Sequence, residues 1–173
     1  MRTVTKYSLL AAVLPAATAV YGVFIKDAAI IFNSALTIFC IFLILLIQKW
    51  LKIFSRTGFI SALIFILLAV FAGRTLGAYG KIPYWDKILH FSSGFILVLI
   101  GRDIYRKKSR GHYEKGMLKF FSFLFAVSGA AIWEIFEFTC DSLLKTTAQN
   151  NSLTDTMLDI ITGTLSALIT LFF

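Results

Sequence analysis

Long apolar runs, each closed by a short polar or charged interval, organise this chain from end to end. A membrane-spanning helix needs roughly 20 apolar residues, within a working range of about 17–25. Six runs approach that length, at about 8–25, 28–47, 58–73, 86–101, 118–139 and 156–173. The third and fourth are the shortest, so their ends are the least defined. No stretch alternates polar and apolar residues in the way a transmembrane strand does. The connections are brief, no internal repeat is visible, and no interval is long enough for a separate folded domain. The pattern predicts an all-α, polytopic transmembrane bundle of about six helices. It forms a single membrane domain over 1–173, with mostly apolar helices in 1–73 and polar-motif helices in 84–173.

The first run has a second reading. Arg2 and Lys6 precede it, and Ala17-Thr18-Ala19 resembles the small-residue cleavage site of a signal peptide. The apolar run continues past that point through Val20, Val23, Phe24 and Ile25, which favours an uncleaved first helix.

Composition strengthens the membrane reading. Hydrophobic residues make up 58% of the 173 positions and charged residues 15%. A soluble domain averages about 45–50% apolar and about 25% charged residues. A water-soluble fold of this length would expose the excess apolar surface, whereas a bilayer accommodates it. Cys40 and Cys140 lie in separate apolar runs and read as small apolar residues rather than as a disulfide or metal pair.

Net charge is +8, and the basic residues are clustered. Arg106, Lys107, Lys108 and Arg110 form the densest group. No nucleic-acid motif accompanies it, so the group reads as juxtamembrane charge that holds a loop in the cytoplasm and meets anionic lipid. With the N-terminus inside, the cytoplasmic segments hold twelve Lys and Arg and the outer ones five, namely Lys26, Arg74, Lys81, Lys87 and Lys145. The positive-inside rule then predicts that both termini are cytoplasmic.

Ionisable residues are nearly absent from the first three runs and concentrated in the last three. Residues three, four or seven apart share a helix face. Asp86, His90 and Gly94 align in this way, as do Ala130, Glu134, Glu137 and Asp141. Asp155, Asp159, Thr162, Gly163 and Ser166 form a third stripe. Small residues along such stripes permit close helix approach. The expected orientation brings all three stripes to the outer leaflet, with His90, Glu134 and Asp159 roughly 6–8 Å inside the boundary.

Five or six carboxylates in one pocket cannot all remain ionised without protons or cations among them. Asp86, Glu134, Asp155 and Asp159 are the candidate metal ligands, and a divalent cation is the cofactor they suggest. His90 and Glu137 are the candidate proton-transfer groups. Arg74, at the end of the third run, could hold a phosphate or a carboxylate. Asp141 is, with Arg74, a candidate substrate-binding residue. A plainer account assigns Asp86 and Asp155 to helix N-termini, His90 to packing, and Glu134 to an ion pair with Arg74 or Lys87. Ionisable residues within spans nevertheless mark function by default.

These residues carry a resemblance. Asp86, His90 and Gly94, then Glu134 and Glu137, then Asp155, Asp159 and Gly163 resemble the pattern of the YjdF-like bacterial inner-membrane family. They are more distantly similar to that of VanZ-like membrane proteins. The likeness covers roughly residues 84–166. Two features depart from the pattern. Gln149-Asn150-Asn151-Ser152-Leu153 stands where a Gly-rich stretch with an extra Asp is expected, and Phe138 stands in place of a Trp. The resemblance implies a small multi-pass protein of the bacterial inner or plasma membrane. Its VanZ-like side implies a connection to the cell envelope, including glycopeptide resistance.

The expected function is binding or modification of a lipid or glycolipid headgroup at an outer-leaflet carboxylate–histidine pocket, with membrane lipids as partners. Whether a reaction follows binding stays open, as does oligomeric state. An ion- or proton-coupled carrier is the alternative, and a non-catalytic assembly partner is a third reading. A carrier site sits typically near the midplane between broken helices, whereas the inner halves of the last three runs are apolar.

Overall fold

The computed structural model describes residues 2–173. Every regular element among them is helical. Helix α1 spans Arg2–Ile25 and α2 spans Ala28–Leu51. Helix α3, Arg56–Ile66, continues directly into a π-helical segment, Leu67–Thr75. A single turn, α4, occupies Ala78–Lys81. Helices α5 (Trp85–Lys108), α6 (Lys115–Leu144) and α7 (Leu153–Thr170) complete the chain.

By length and composition, five helices can cross a membrane: Thr3–Ile25, Ala28–Leu51, Arg56–Thr75, Trp85–Lys108 and Lys115–Leu144. The sixth expected run forms α7, which has 18 residues and is not among the five. Asp155 and Asp159 fall in its first two turns and lower its mean hydropathy. Several helices outrun the apolar stretches that announced them. Helix α5 extends to Lys108, because Arg, Lys and Tyr are compatible with helix and their long stems reach the interface. Large apolar side chains stand exposed along the helices, with Phe24 81% and Phe39 59% accessible. Water would not tolerate that surface, and lipid does. Cys40 and Cys140 are both free thiols.

The chain divides into two compact units, Met1–Trp85 and Asp86–Phe173. In the first, α1 and α2 form a hairpin across Lys26 and Asp27. Gly22 lets the two approach, since a Cβ there would lie 3.0 Å from the side chains of Ile30 and Ile31. Ile41, Phe59 and Leu63 form the buried core, with Tyr7, Ile44 and Leu67 among the residues packed against it. Arg56 donates to the Tyr7 hydroxyl and lies over its ring. The turn after α2 is closed by Gln48, whose amide both donates to Phe54 O (2.9 Å) and accepts from Phe54 N (3.0 Å).

Helix α2 starts at Asp27, whose carboxylate accepts from the backbone N–H groups of Ala29 (2.9 Å) and Ile30 (3.0 Å). Two donors that the helix cannot satisfy internally are thereby paired. Asp27→Ala is expected to destabilise the protein by about 1 kcal/mol, lowering Tm by roughly 2–4 °C in a detergent thermal melt. An unchanged Tm would show that water replaces the cap without loss.

In the second unit α5, α6 and α7 are packed through small residues. A Cβ on Gly94 would lie 2.1 Å from Gly163 O. One on Gly101 would lie 3.0 Å from Ser122 Cα, and one on Gly129 2.9 Å from a Leu97 methyl. Val98, Ala126 and Ala167 form the buried core between these crossings. Beyond that core, Arg102 Nη2 donates to Thr170 O at 2.9 Å and satisfies a carbonyl in the last turn of α7. Helix α6 is opened by Glu114, which accepts from Gly116 N (2.7 Å) and Met117 N (2.8 Å). Those two N–H groups hold the Glu114 carboxyl below the usual carboxylate range.

Candidate functional site

Helices α5 and α7 run in the same direction and α6 returns between them in sequence. The first turns of α5 and α7 therefore lie together with the C-terminal half of α6. Asp86 and His90 enter from α5, Glu134 from α6 and Asp159 from α7. His90 Nε2 is 3.6 Å from Glu134 Oε1, 3.8 Å from Asp159 Oδ1 and 3.8 Å from Asp86 Oδ1. Three helices thus aim carboxylate oxygens at one imidazole nitrogen, each just beyond hydrogen-bond length. His90, Glu134 and Asp159 are buried, at 7%, 3% and 2% accessibility, while Asp86 is half-buried.

Lys87 reaches the cluster from the side. Its Nζ donates to Asp155 Oδ1 at 2.5 Å and to Asp159 Oδ2 at 2.8 Å, and lies 2.7 Å from Asp159 Oδ1. Both oxygens of Asp159 thus lie against the ammonium and share its charge. Glu134 Oε1, by contrast, is buried with no donor directed at it among the described residues. Its second oxygen, Oε2, accepts from Gln149 Nε2 at 3.3 Å. Buried carboxylate oxygens without donors are costly, and each calls for an explanation.

The loop between α6 and α7 supplies a second layer. Asn150 Nδ2 donates to Asp155 Oδ2 at 2.7 Å. Gln149 Nε2 also donates to Glu134 O at 3.2 Å. Asn150 and Asn151 both adopt left-handed backbone, at φ 51° and 52°. Asparagine is the residue after glycine best suited to that conformation, which accounts for Asn-Asn in a stretch where a Gly-rich sequence was expected.

The candidate site residues fall into four groups. Asp86, His90, Glu134 and Asp159 converge, and Asp155 joins them through Lys87. Glu137 Oε1 instead accepts from Trp133 Nε1 at 2.8 Å, one turn along its own helix. Asp141 anchors the loop, accepting from Thr146 Oγ1 (2.5 Å), Ala148 N (2.7 Å) and Gln149 N (2.9 Å). Arg74 belongs to the first unit, in the last turn of its π-helical segment. Spacing had not singled out Lys87 for the cluster, although a signal was present. Lys87 precedes His90 by three residues and Gly94 by seven, so it shares their face. Gln149 and Asn150 carried no comparable signal, because a loop has no periodicity to read.

Asp86, His90 and Asp159 each offer a ligand atom, and these atoms lie within 4.8 Å of one another. Carboxylate oxygens and an imidazole nitrogen suit a borderline or hard divalent ion. The orphaned oxygen of Glu134 fits that donor set, since it faces the same nitrogen with no donor among the described residues. A groove of about 720 Å³ runs beside the cluster between α6 and α7. Ile135, Phe138, Leu153 and Ile160 make it apolar, and Glu134 and Gln149 lie on its polar side.

Fold and geometry together define a multi-pass helical membrane protein with a buried ionisable cluster in its second unit. The chain belongs to the family described as predicted membrane protein (DUF2238), whose model matches residues 6–173. It is 42% identical over 89 residues to an uncharacterized protein of Thermotoga maritima, a match that covers 51% of this chain and 46% of that protein. The match thus spans about half of that relative's length. No solved structure matches the chain.

Proposed function

We propose that the second unit holds a divalent cation among Asp86, His90, Asp159 and Glu134, and uses it to bind the polar headgroup of a membrane lipid or glycolipid. The observation that carries this reading is the buried carboxylate oxygen Glu134 Oε1, which faces His90 Nε2 at 3.6 Å with no donor among the described residues. Four carboxylates against Lys87 alone leave excess negative charge, and a divalent ion compensates it locally. Three or four protein ligands also leave positions open for headgroup oxygens. The adjoining apolar groove suits an acyl or prenyl chain whose headgroup reaches Glu134.

Charge distribution within this unit favours a site on the outer side. Seven Lys and Arg (Arg102, Arg106, Lys107, Lys108, Arg110, Lys115 and Lys119) lie toward the opposite end, against Lys87 and Lys145 near the cluster. The positive-inside rule puts the seven in the cytoplasm. The VanZ-like resemblance of the same residues extends the proposal to the cell envelope. The Val98, Ala126 and Ala167 core between the cluster and Arg102 favours a headgroup site over a path through the unit.

The test is a Mn²⁺ titration of the purified full chain in detergent, followed by electron paramagnetic resonance. Wild-type protein is expected to bind one Mn²⁺. His90→Ala and Asp159→Asn are each expected to weaken binding by roughly tenfold or more while eluting as folded protein on size exclusion. Wild-type affinity in both variants would exclude the site.

A further inference from the structure

The Lys87 ammonium and the imidazole share one carboxylate. Asp159 lies 2.7–2.8 Å from Lys87 Nζ through both its oxygens, and its Oδ1 is 3.8 Å from His90 Nε2. Asp159 is also one of the three residues whose ligand atoms gather within 4.8 Å. A cation taken up by Asp86, His90 and Asp159 would therefore meet a positive charge already seated on one of its ligands. We infer that Lys87 is a built-in competitor for the cation site, and that it makes the site selective for divalent over monovalent ions. The inference rests on the cation reading above and adds a residue that sets its specificity.

The physical argument is one of charge against charge. Lys87 neutralises part of the carboxylate excess, at hydrogen-bond distance and with its side chain 23% exposed. A monovalent ion would bring no more charge than the ammonium it had to approach, and would lack the donated hydrogen bonds. A divalent ion brings twice that charge and binds both oxygen and nitrogen donors. Lys87 has somewhere to go when Asp159 is drawn to the metal. Its Nζ is already 2.5 Å from Asp155 Oδ1. Asp155 is itself positioned by Asn150, so it remains a partner on the far side of the cluster. A lysine suits this role because its four-carbon stem is flexible and its head is a point charge with three donors. Asp155, on this account, receives the displaced ammonium rather than the metal.

The experiment compares Mn²⁺ binding by the full chain in detergent for wild type, Lys87→Met and Lys87→Arg, each with and without potassium chloride. Removing one unit charge at this range is expected to tighten Mn²⁺ binding in Lys87→Met by roughly tenfold or more. Potassium is expected to weaken Mn²⁺ binding in Lys87→Met more than in wild type, because the seat of the ammonium is then open to it. Lys87→Arg retains the charge and is expected to bind Mn²⁺ more weakly than Lys87→Met. Lys87→Gln carries the same expectation as the methionine variant and replaces it if the latter is not monodisperse. Equal or weaker Mn²⁺ binding in the neutral variants would overturn the inference and leave the cation site standing. Absence of Mn²⁺ binding in wild type would overturn the cation reading itself.

Discussion

Gly94→Ala is expected to lower the stability of the protein and to open the candidate site, whereas Gly163→Ala should be tolerated. Both glycines lie at the same crossing of α5 and α7, and sequence spacing treats them alike. Their surroundings differ. An added Cβ at Gly94 would stand 2.1 Å from Gly163 O and 3.0 Å from Ser166 Cβ. A backbone oxygen cannot rotate away, so the two helices must separate. At Gly163 the nearest atoms are His90 O at 3.4 Å and Ala130 Cβ at 3.5 Å, which is ordinary contact. Alanine for glycine within a helix contributes about 1 kcal/mol of propensity. At Gly163 nothing opposes that gain. At Gly94 overpacking costs about 1–3 kcal/mol or more and outweighs it. His90 lies one turn before Gly94, and Asp159 one turn before Gly163, so a separation there also widens the 3.8 Å between His90 Nε2 and Asp159 Oδ1. Thermal melts in detergent should show Gly94→Ala below wild type by several degrees, with Mn²⁺ affinity reduced, and Gly163→Ala at or above wild type. Gly80→Ala, where an added Cβ meets nothing within 4 Å, is the neutral reference. Equal behaviour of the Gly94 and Gly163 variants would show that the crossing is looser than its geometry.

The helices were legible in the sequence because the bilayer imposes the same demand on each of them. A span must be apolar for its whole length and must pair its own backbone, so each apolar run announced a helix. The ends were less legible. Lys107 and Lys108 are polar yet helical, and hydropathy stops where the helix does not. The π-helical segment after Ile66 had no signature in composition, since Leu67–Thr75 reads as an ordinary apolar stretch. In the site, three-and-four spacing on one helix identified Asp86 with His90 and set Glu134 beside Glu137. It could not distinguish the two glutamates by environment. Glu134 is buried against the His90 cluster, whereas Glu137 binds Trp133 on its own helix. That distinction depends on how α6 is rotated against α5 and α7. Asp141 shows the same limit, because its partners lie in a loop five to eight residues away.

The cluster carries the cost of a buried carboxylate oxygen left without a donor among the described residues. Ion pairs that only hold helices together tend to satisfy each oxygen, since a half-satisfied buried network is worse than none. Here the hydrogen bonds are distributed unevenly. Asp155 has Lys87 and Asn150, Asp159 has Lys87 and Asp141 has three donors, while Glu134 Oε1 has none among the described residues. The unsatisfied oxygen is deeply buried and faces the imidazole.

Glu134→Gln turns that asymmetry into a measurement. If Glu134 serves only the fold, its replacement removes a charged partner from His90 and should lower Tm. If it serves a cation, the cation-free protein bears the burial of its orphaned oxygen and the proximity of the other carboxylates. Glutamine keeps the shape, and its carbonyl can still accept from Gln149, while the charge is gone. An unsatisfied buried polar group costs about 1–3 kcal/mol, more when charged. In chelator, Glu134→Gln is therefore expected to melt at or above the wild-type temperature, by up to roughly 2–4 °C for each kcal/mol recovered. Added Mn²⁺ should raise Tm in wild type, as any ligand of the folded state does, and should raise it less or not at all in the variant. The two melts then separate stability from binding in a single residue. A fall in Tm in chelator, with the Mn²⁺ response intact, would assign Glu134 to packing and remove it from the ligand set.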